Sequence, residues 1–399
     1  MCNTISIMEE QLSYLSLARQ IKYLRFGGLY KLDSKSPTTH KILHTIYMRG
    51  VLCFFIVYTI QQILKIHEVR GNMDKVMGTM FLLLTNMDCI YKISIFSTKP
   101  IQIEEIFNVL KGPIFNQREP EHRNILLDTV RQAFIVFRIF NSMCLFTCFL
   151  WVLHPTILHM QGKSVEFTVW LPFDVNSDPQ YYIAVFYVWV QTTALAYCNS
   201  TMDIIIVFLL EQCRTQVSIL RLDLVNLVEK SKKEAVETSC RYSYVLERRM
   251  KNIVKHHKEI LSAADKIQDT FGGCTFCQFF VSGWILCTSV YRIVSVAPAS
   301  IEFVSMVMYV VCILLQVYLY CYYGTELTYE SEKLIQSAYT ADWLEIPVKQ
   351  RRYLITFMER IKKPICPMAG YIIPLSNATF ISIVRSSFSF YAFLKNSGH

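Results

Sequence analysis

Seven stretches of apolar residues, each about as long as a lipid bilayer is thick, restrict this chain to very few folds. They cover 42–64, 76–96, 132–153, 181–210, 271–296, 302–323 and 375–394. A helix needs ~20 mostly apolar residues to cross the hydrocarbon core. Inside that core every backbone N–H and C=O must be paired, which leaves only helices or closed barrels. The expected fold class is therefore an all-α membrane protein with seven transmembrane helices. Composition agrees, with 53% hydrophobic and 18% charged residues against ~25% charged in soluble domains. No apolar core with a small-residue cleavage site precedes the first block, so that block is expected to act as its own insertion signal.

The placement of positive charge sets an orientation. With the N-terminus in the cytosol, the four inside segments hold 29 Lys and Arg and the four outside segments hold five. Basic residues collect on the cytosolic side, so the N-terminus is expected inside and the C-terminus outside. Leaving out the 59-residue loop 211–269 gives 17 against five, the same answer. The net charge of +9 follows the membrane and is no nucleic-acid footprint. The expected organisation is a cytosolic segment (1–41), spans one to four (42–210), a cytosolic helical loop (211–269), spans five and six (271–323), a cytosolic loop and helix (324–374), and a last span with a short outside end (375–399).

The cytosolic loops carry helical periodicity. Ile219, Leu222, Leu224, Leu227 and Val228 recur at helical spacing, as do Leu246, Met250, Ile253 and Val254. Spans four and five are expected to continue into the cytosol as amphipathic helices and bury their apolar stripes there. Between them EKSKKEAVETS reads as a solvated turn, and His256-His257 as solvated residues on a basic stretch. Pro347 suits a helix first turn. Pro364 and Pro367 end that helix before the last span begins.

Chemistry-bearing motifs are few. There is no HExxH, GxSxG or glycine-rich phosphate loop, so no enzyme, cofactor or metal centre is expected. Cys274 and Cys277 form a lone CxxC without a second pair. The other cysteines mostly lie in or beside spans and read as small core residues. Asp88, Asp203, Arg138, Arg292 and Arg385 sit in or near spans, where a charge must face protein or water. For Asp88 a bundle contact and a direct ligand role both stand open. In the last span Thr379, Ser382, Ser386, Ser389, Phe393 and Asn396 share one helical face. Small hydroxyl residues suit close helix packing, and they equally suit a water-filled path. The outside loop 154–180 reads either as a lid or as a plain connector. A G-protein-coupled receptor fits poorly: the charge count gives the opposite orientation, NATF stands where NPxxY is usual, and the outside loop has no cysteine.

From Tyr322 to Asn396 the chain resembles the C-terminal signature of insect odorant receptors. The shared elements are Gly324, Leu327 and Ser331 in G-x-x-L-x-x-x-S, then Ala338, Tyr339 and Trp343, a basic helix ending Arg360-x-x-Lys363-Pro364, and Ser387–Phe390 in the last span. The LPFDV…DPQYY outside loop and the seven spans also fit, so the resemblance covers nearly the whole chain. The TY…QF pattern of the sister gustatory receptors is absent, and the second cytosolic loop is shorter than the coreceptor's.

The resemblance implies a ligand-tuning subunit. With the coreceptor it would form a hetero-tetrameric, odorant-gated, non-selective cation channel in the plasma membrane of olfactory sensory neurons. It implies a pore lined by the last helix, at Ser382, Ser386 and Ser389, with a gate near Phe393, Asn396 and Ser397. It implies an odorant site between spans two, three, four and six. The candidates there are Met87 and Tyr91, Phe146 and Trp151, Tyr187 and Gln191, and Met306 and Tyr309. A G-protein-linked chemoreceptor without a pore and a gustatory-type channel are the alternatives.

Overall fold

The computed structural model describes residues 11–32, 36–116, 119–162, 165–173, 175, 177–298 and 300–397, apart from the side chains of residues 74, 295 and 390–397. Helices dominate: α1 (Leu12–Phe26), α2 (Thr38–Glu68), α3 (Met73–Thr98), α4 (Pro100–Lys111), α5 (Pro120–Met160), α6 (Asp178–Val225), α7 (Leu227–Glu237), α8 (Tyr242–Ser295), α9 (Ile301–Tyr339), α10 (Val348–Ile361) and α11 (Asn377–Ser397). Six of these, α2, α3, α5, α6, α8 and α9, are long and apolar enough to cross a membrane. With α11 they account for the seven apolar blocks.

Local chemistry explains where the helices start and stop. Asn72 caps α3 by accepting from Lys75 N at 3.2 Å, and Ser300 caps α9 by accepting from Phe303 N at 3.0 Å. Prolines open α4, α5 and α6 within their first two positions, where no N–H partner is needed. The helix before Pro364 ends at Ile361, and Pro347 stands just ahead of its first residue.

The bundle is arranged around α6. In the most apolar window of α6, 78% of residues are buried, against 17% in α2. The first is therefore the central staff and the second a peripheral, lipid-facing helix. Both α6 and α8 continue well past bilayer length, to 48 and 54 residues, as the periodicity of the cytosolic loops requires. Helix α9 also runs on to Tyr339, where a loop was expected.

Within the described part of the N-terminal segment, Leu17, Ile21 and Leu24 bury one face of α1 in the main core. Two further expectations are corrected. EKSKKEAVETS is largely helix α7, whose Leu227, Val228 and Ser231 are buried. His256 and His257 are buried rather than solvated. His256 Nε2 lies 2.8 Å from Gln216 Oε1, and His257 meets Phe357 edge to face at 5.4 Å.

The root of the last helix is fixed by a small hairpin. Strands β1 (Met368–Ala369) and β2 (Ile373–Pro374) pair antiparallel around Gly370 and Tyr371, both at φ +60. Gly370 N donates to Gly272 O on α8 at 2.8 Å. A Cβ on Gly370 would also meet Phe276 at 3.0 Å, so glycine suits this position twice over. The Gln268 side chain bonds both N and O of Met368, at 2.9 and 2.6 Å.

These contacts give the C-terminal signature its physical sense. A Cβ at Gly324 would lie 2.4 Å from Leu375, so only glycine lets α9 reach this segment. Leu327 is fully buried beside it, and Ser331 Oγ accepts from Ile365 N at 2.7 Å. Trp343 Nε1 donates to Ala338 O at 3.1 Å.

Burial pushes both imidazoles down to about 4. For His256, the His122 and His257 rings add to this and Asp223 opposes it, while for His257 Arg360 adds to it. An unfolded histidine titrates near ~6.5. Each therefore contributes stability that is full above that value and is lost as pH falls toward 4. The thermal midpoint of the detergent-solubilised chain should drop between pH 7 and pH 5. His257→Phe, which keeps the ring contact and removes the titration, should make that drop smaller.

Candidate functional site

A charge buried in the bilayer has to find its partners within the protein. Asp88 and Lys92 stand one helical turn apart on α3, a spacing that brings side chains together. Lys92 is fully buried. Its Nζ lies 2.9 Å from Asp88 Oδ2 and 2.6 Å from Asp203 Oδ1 on α6. It also donates to Asn199 Oδ1 at 2.8 Å and to Gln278 Oε1 of α8. An ammonium has three N–H groups, so these four oxygens surround it completely. Asp203 in turn accepts from Tyr320 Oη at 2.8 Å and from Gln316 Nε2, both on α9. Four helices, α3, α6, α8 and α9, thus meet at one charged node.

Directly beside this node lies a cavity between α3, α5, α6 and α9, with about 80 Å³ of space for water centres. One water needs about 10–15 Å³ on that measure, so the space suits a small molecule. Its wall is mostly apolar, and its few polar groups converge. Asn199 and Gln316 line it while also bonding Lys92 and Asp203. A molecule resting on these two amides therefore touches the side chains that hold the node.

The opposite end of the cavity is closed by aromatic rings. Phe81, Trp151 and Tyr309 pack with centroids 5.1–6.0 Å apart. Tyr309 Oη is also 2.6 Å from Thr85 Oγ1. Beyond the rings opens a larger vestibule of about 490 Å³, which shares Leu82, Trp151 and Thr192 with the inner cavity. The loop after α5 covers it: Val169 is buried, Trp170 N donates to Gln61 O at 3.1 Å, and Glu166 pairs with Lys75 at 2.5 Å. The described part of the loop therefore packs down over the vestibule.

The structure brings some of the sequence-proposed residues together and separates others. Trp151 and Tyr309 stand in the cavity wall, and Met306 packs against Tyr309 and lines the vestibule. Tyr187 and Gln191 belong to a neighbouring polar contact, in which Tyr187 donates to Gln61 Oε1 at 2.6 Å and Gln191 to Phe54 O at 3.3 Å. Met87, Tyr91 and Phe146 are exposed on the bundle surface, 39–52% accessible. Their helices flank the cavity, but these positions lie on the outward faces. Thr85 and Asn86 on α3, and Cys144, Thr147 and Cys148 on α5, stand in the wall instead. The polar residues Asn199, Gln316 and Lys92 were missed altogether. The Asp88–Lys92 spacing was the available signal.

Helix α11 lies against α8. Ser387 Oγ donates to Gly283 O at 3.1 Å, and Phe380 and Ile383 pack into the core. Ser382, Ser386 and Ser389 face outward from the chain, as does Arg385, so the serine stripe makes no packing surface within one chain. The side chains of Phe393, Asn396 and Ser397 lie outside the described residues.

From α8 the node also connects toward α11. Gln278 accepts from Lys92 and donates to Ser282 Oγ at 2.6 Å. Gly283, the next residue, is the one that receives Ser387.

The 7tm Odorant receptor family model matches residues 72–388, well over half of the chain. Among curated relatives, odorant receptor Or1 of Anopheles gambiae is 21% identical over 94% of both chains. Odorant receptor 46a, isoform A, of Drosophila melanogaster is 22% identical over 89% of this chain and 91% of its own. Among solved structures, the olfactory receptor OR5 of Machilis hrabei in complex with eugenol superposes with a TM-score of 0.82 at 17% identity. That match covers 96% of this chain and 99% of the other.

Replacing Lys92 with methionine would strand two carboxylates in the core. Breaking such a group by removing one partner costs about 3–5 kcal/mol. Lys92→Met should sharply lower the thermal midpoint of the solubilised chain, and adding Asp203→Asn should recover part of the loss.

Proposed function

The chain belongs to the odorant receptor family, and from that membership we propose that it is the ligand-tuning subunit of an odorant-gated, non-selective cation channel. It is a multi-pass membrane protein. In this reading it sits N-in and C-out in the plasma membrane of olfactory sensory neurons, in a hetero-tetramer with the coreceptor. The observation that carries the reading is the cavity whose floor amides, Asn199 and Gln316, are bonded to the Lys92–Asp203 node. A small apolar volatile fits such a wall through dispersion and shape, with a few polar groups fixing its orientation. The likeness to a receptor solved in complex with eugenol supports a small organic ligand.

The mechanism follows the bonds. An odorant that draws Asn199 or Gln316 toward itself weakens their hold on Lys92 and Asp203. The node then relaxes onto Gln278, and α8 passes the change to α11 through Gly283 and Ser387. A ligand shifts such an equilibrium only by its differential affinity for the two states. The outward face of Ser382, Ser386 and Ser389, unused within the chain, is available to line a central path between subunits.

Co-expression with a coreceptor in oocytes tests both halves. Ala196→Phe intrudes on the cavity, and overpacking costs about 1–3 kcal/mol. The odorant concentration for half-activation should therefore rise roughly tenfold or more. Ser386→Cys should make the evoked current sensitive to a charged thiol reagent. A current abolished by blocking G proteins contradicts the channel reading, while an unshifted Ala196→Phe response contradicts the cavity assignment alone.

A further inference from the structure

Far from the cavity, where α5 begins and α6 ends, three metal-ligand side chains converge. His122 is fully buried, and its Nδ1 makes no hydrogen bond. Its Nε2 pairs with Asp223 Oδ1 at 3.0 Å and lies 3.7 Å from Glu119 Oε2. All three donor atoms fall within 4.8 Å of one another. In a tetrahedral site with bonds of ~2.0–2.1 Å to nitrogen and oxygen, neighbouring ligands stand roughly 3.3–3.4 Å apart. The two His122 separations bracket that value.

The set has the right charge and an open side. Two carboxylates and an imidazole match borderline divalent ions such as Zn²⁺. A cavity of about 310 Å³, lined by Glu119, Asp223, Arg249 and Asn252, reaches the carboxylates from the solvent side and leaves a fourth position for water. The resident cation is Lys230 of α7. Its Nζ contacts Glu119 Oε2 and lies 3.4 Å from Asp223 Oδ1. It also reaches Glu121 Oε2 at 3.6 Å, so it has an anionic partner to fall back on when displaced. Arg249 Nη1, 3.6 Å from Glu119 Oε1, is the other competing cation.

We propose that Glu119, His122 and Asp223 form a Zn²⁺-class divalent-metal site in which the metal replaces the Lys230 ammonium and ties α5 to α6. Glu119 and His122 are three residues apart at the start of one helix, whereas Asp223 comes from the far end of another. No spacing motif in the sequence therefore announces the site.

The test uses the full-length chain in detergent or nanodiscs and Zn²⁺ alone as probe, against a chelating competitor. Wild type should bind Zn²⁺ and gain thermal stability from it. Lys230→Met, which removes the competing ammonium and keeps all three ligands, should bind at least about tenfold more tightly. His122→Ala should lose the stabilisation. Lys230→Met binding no more tightly than wild type overturns the proposal, and so does an undiminished response in His122→Ala. If His122→Ala fails to fold, the Lys230→Met comparison decides alone. The readout is binding, so it is independent of whether the chain conducts.

Discussion

An ammonium held between two carboxylates in the middle of an apolar bundle is the interaction on which this structure depends. In the low dielectric of a membrane protein neither sign can be left alone. Lys92 therefore obliges α3, α6 and α8 to meet, and Asp203 recruits α9 through Gln316 and Tyr320. Apolar packing alone would let these helices slide or rotate by small amounts, because hydrocarbon side chains hardly distinguish one another from lipid. The node removes that freedom at one depth. It does so using two amides, Asn199 and Gln316, that also face a cavity, so the constraint that orders the bundle is exposed to whatever enters it.

The last helix is held quite differently. Among the described side chains it meets α8 through the Ser387 hydroxyl and a few apolar groups, while its root is clamped by a hairpin seated on Gly272 and Gln268. Gly324, Leu327 and Ser331 matter because they hold that root: one permits the close approach, one fills the core, and one satisfies the backbone of the turn. The signature therefore marks the root of the last helix, and the cavity lies elsewhere, between α3, α5, α6 and α9.

The sequence was most legible where bilayer physics dictates length. Seven apolar blocks, the continuations of α6 and α8 past bilayer length, and the proline-ended α10 follow from periodicity and from groups that must be paired. Where partners come from afar it was less so. Helix α1 is too polar on average to announce itself, and its Leu17, Ile21 and Leu24 make sense only once α5 and α6 cover them. The stretch 229–239 looks solvated because one narrow face supplies all its burial. The cavity lies between spans two, three, four and six, whereas Met87, Tyr91 and Phe146 stand on the outward faces of those spans. Met87 and Phe146 point outward because large apolar residues serve lipid contact as well as a pocket, so size and hydropathy do not tell the two faces apart. Lys92 is one more charge within an apolar block, and its role appears only when Asp203, 111 positions away, is brought beside it.

Whether the node truly connects cavity to pore helix is decided by a double-mutant cycle on odorant-evoked currents. Gln316→Leu alters the cavity floor, whereas Gln278→Leu alters the α8 side of the node without touching the cavity. Linked through Lys92 and Asp203, the two should be non-additive in activation free energy, by about 0.5–3 kcal/mol. Effects that simply add, to within about 0.5 kcal/mol, would mean that the two amides act independently and that the buried charge holds the bundle together without carrying the signal.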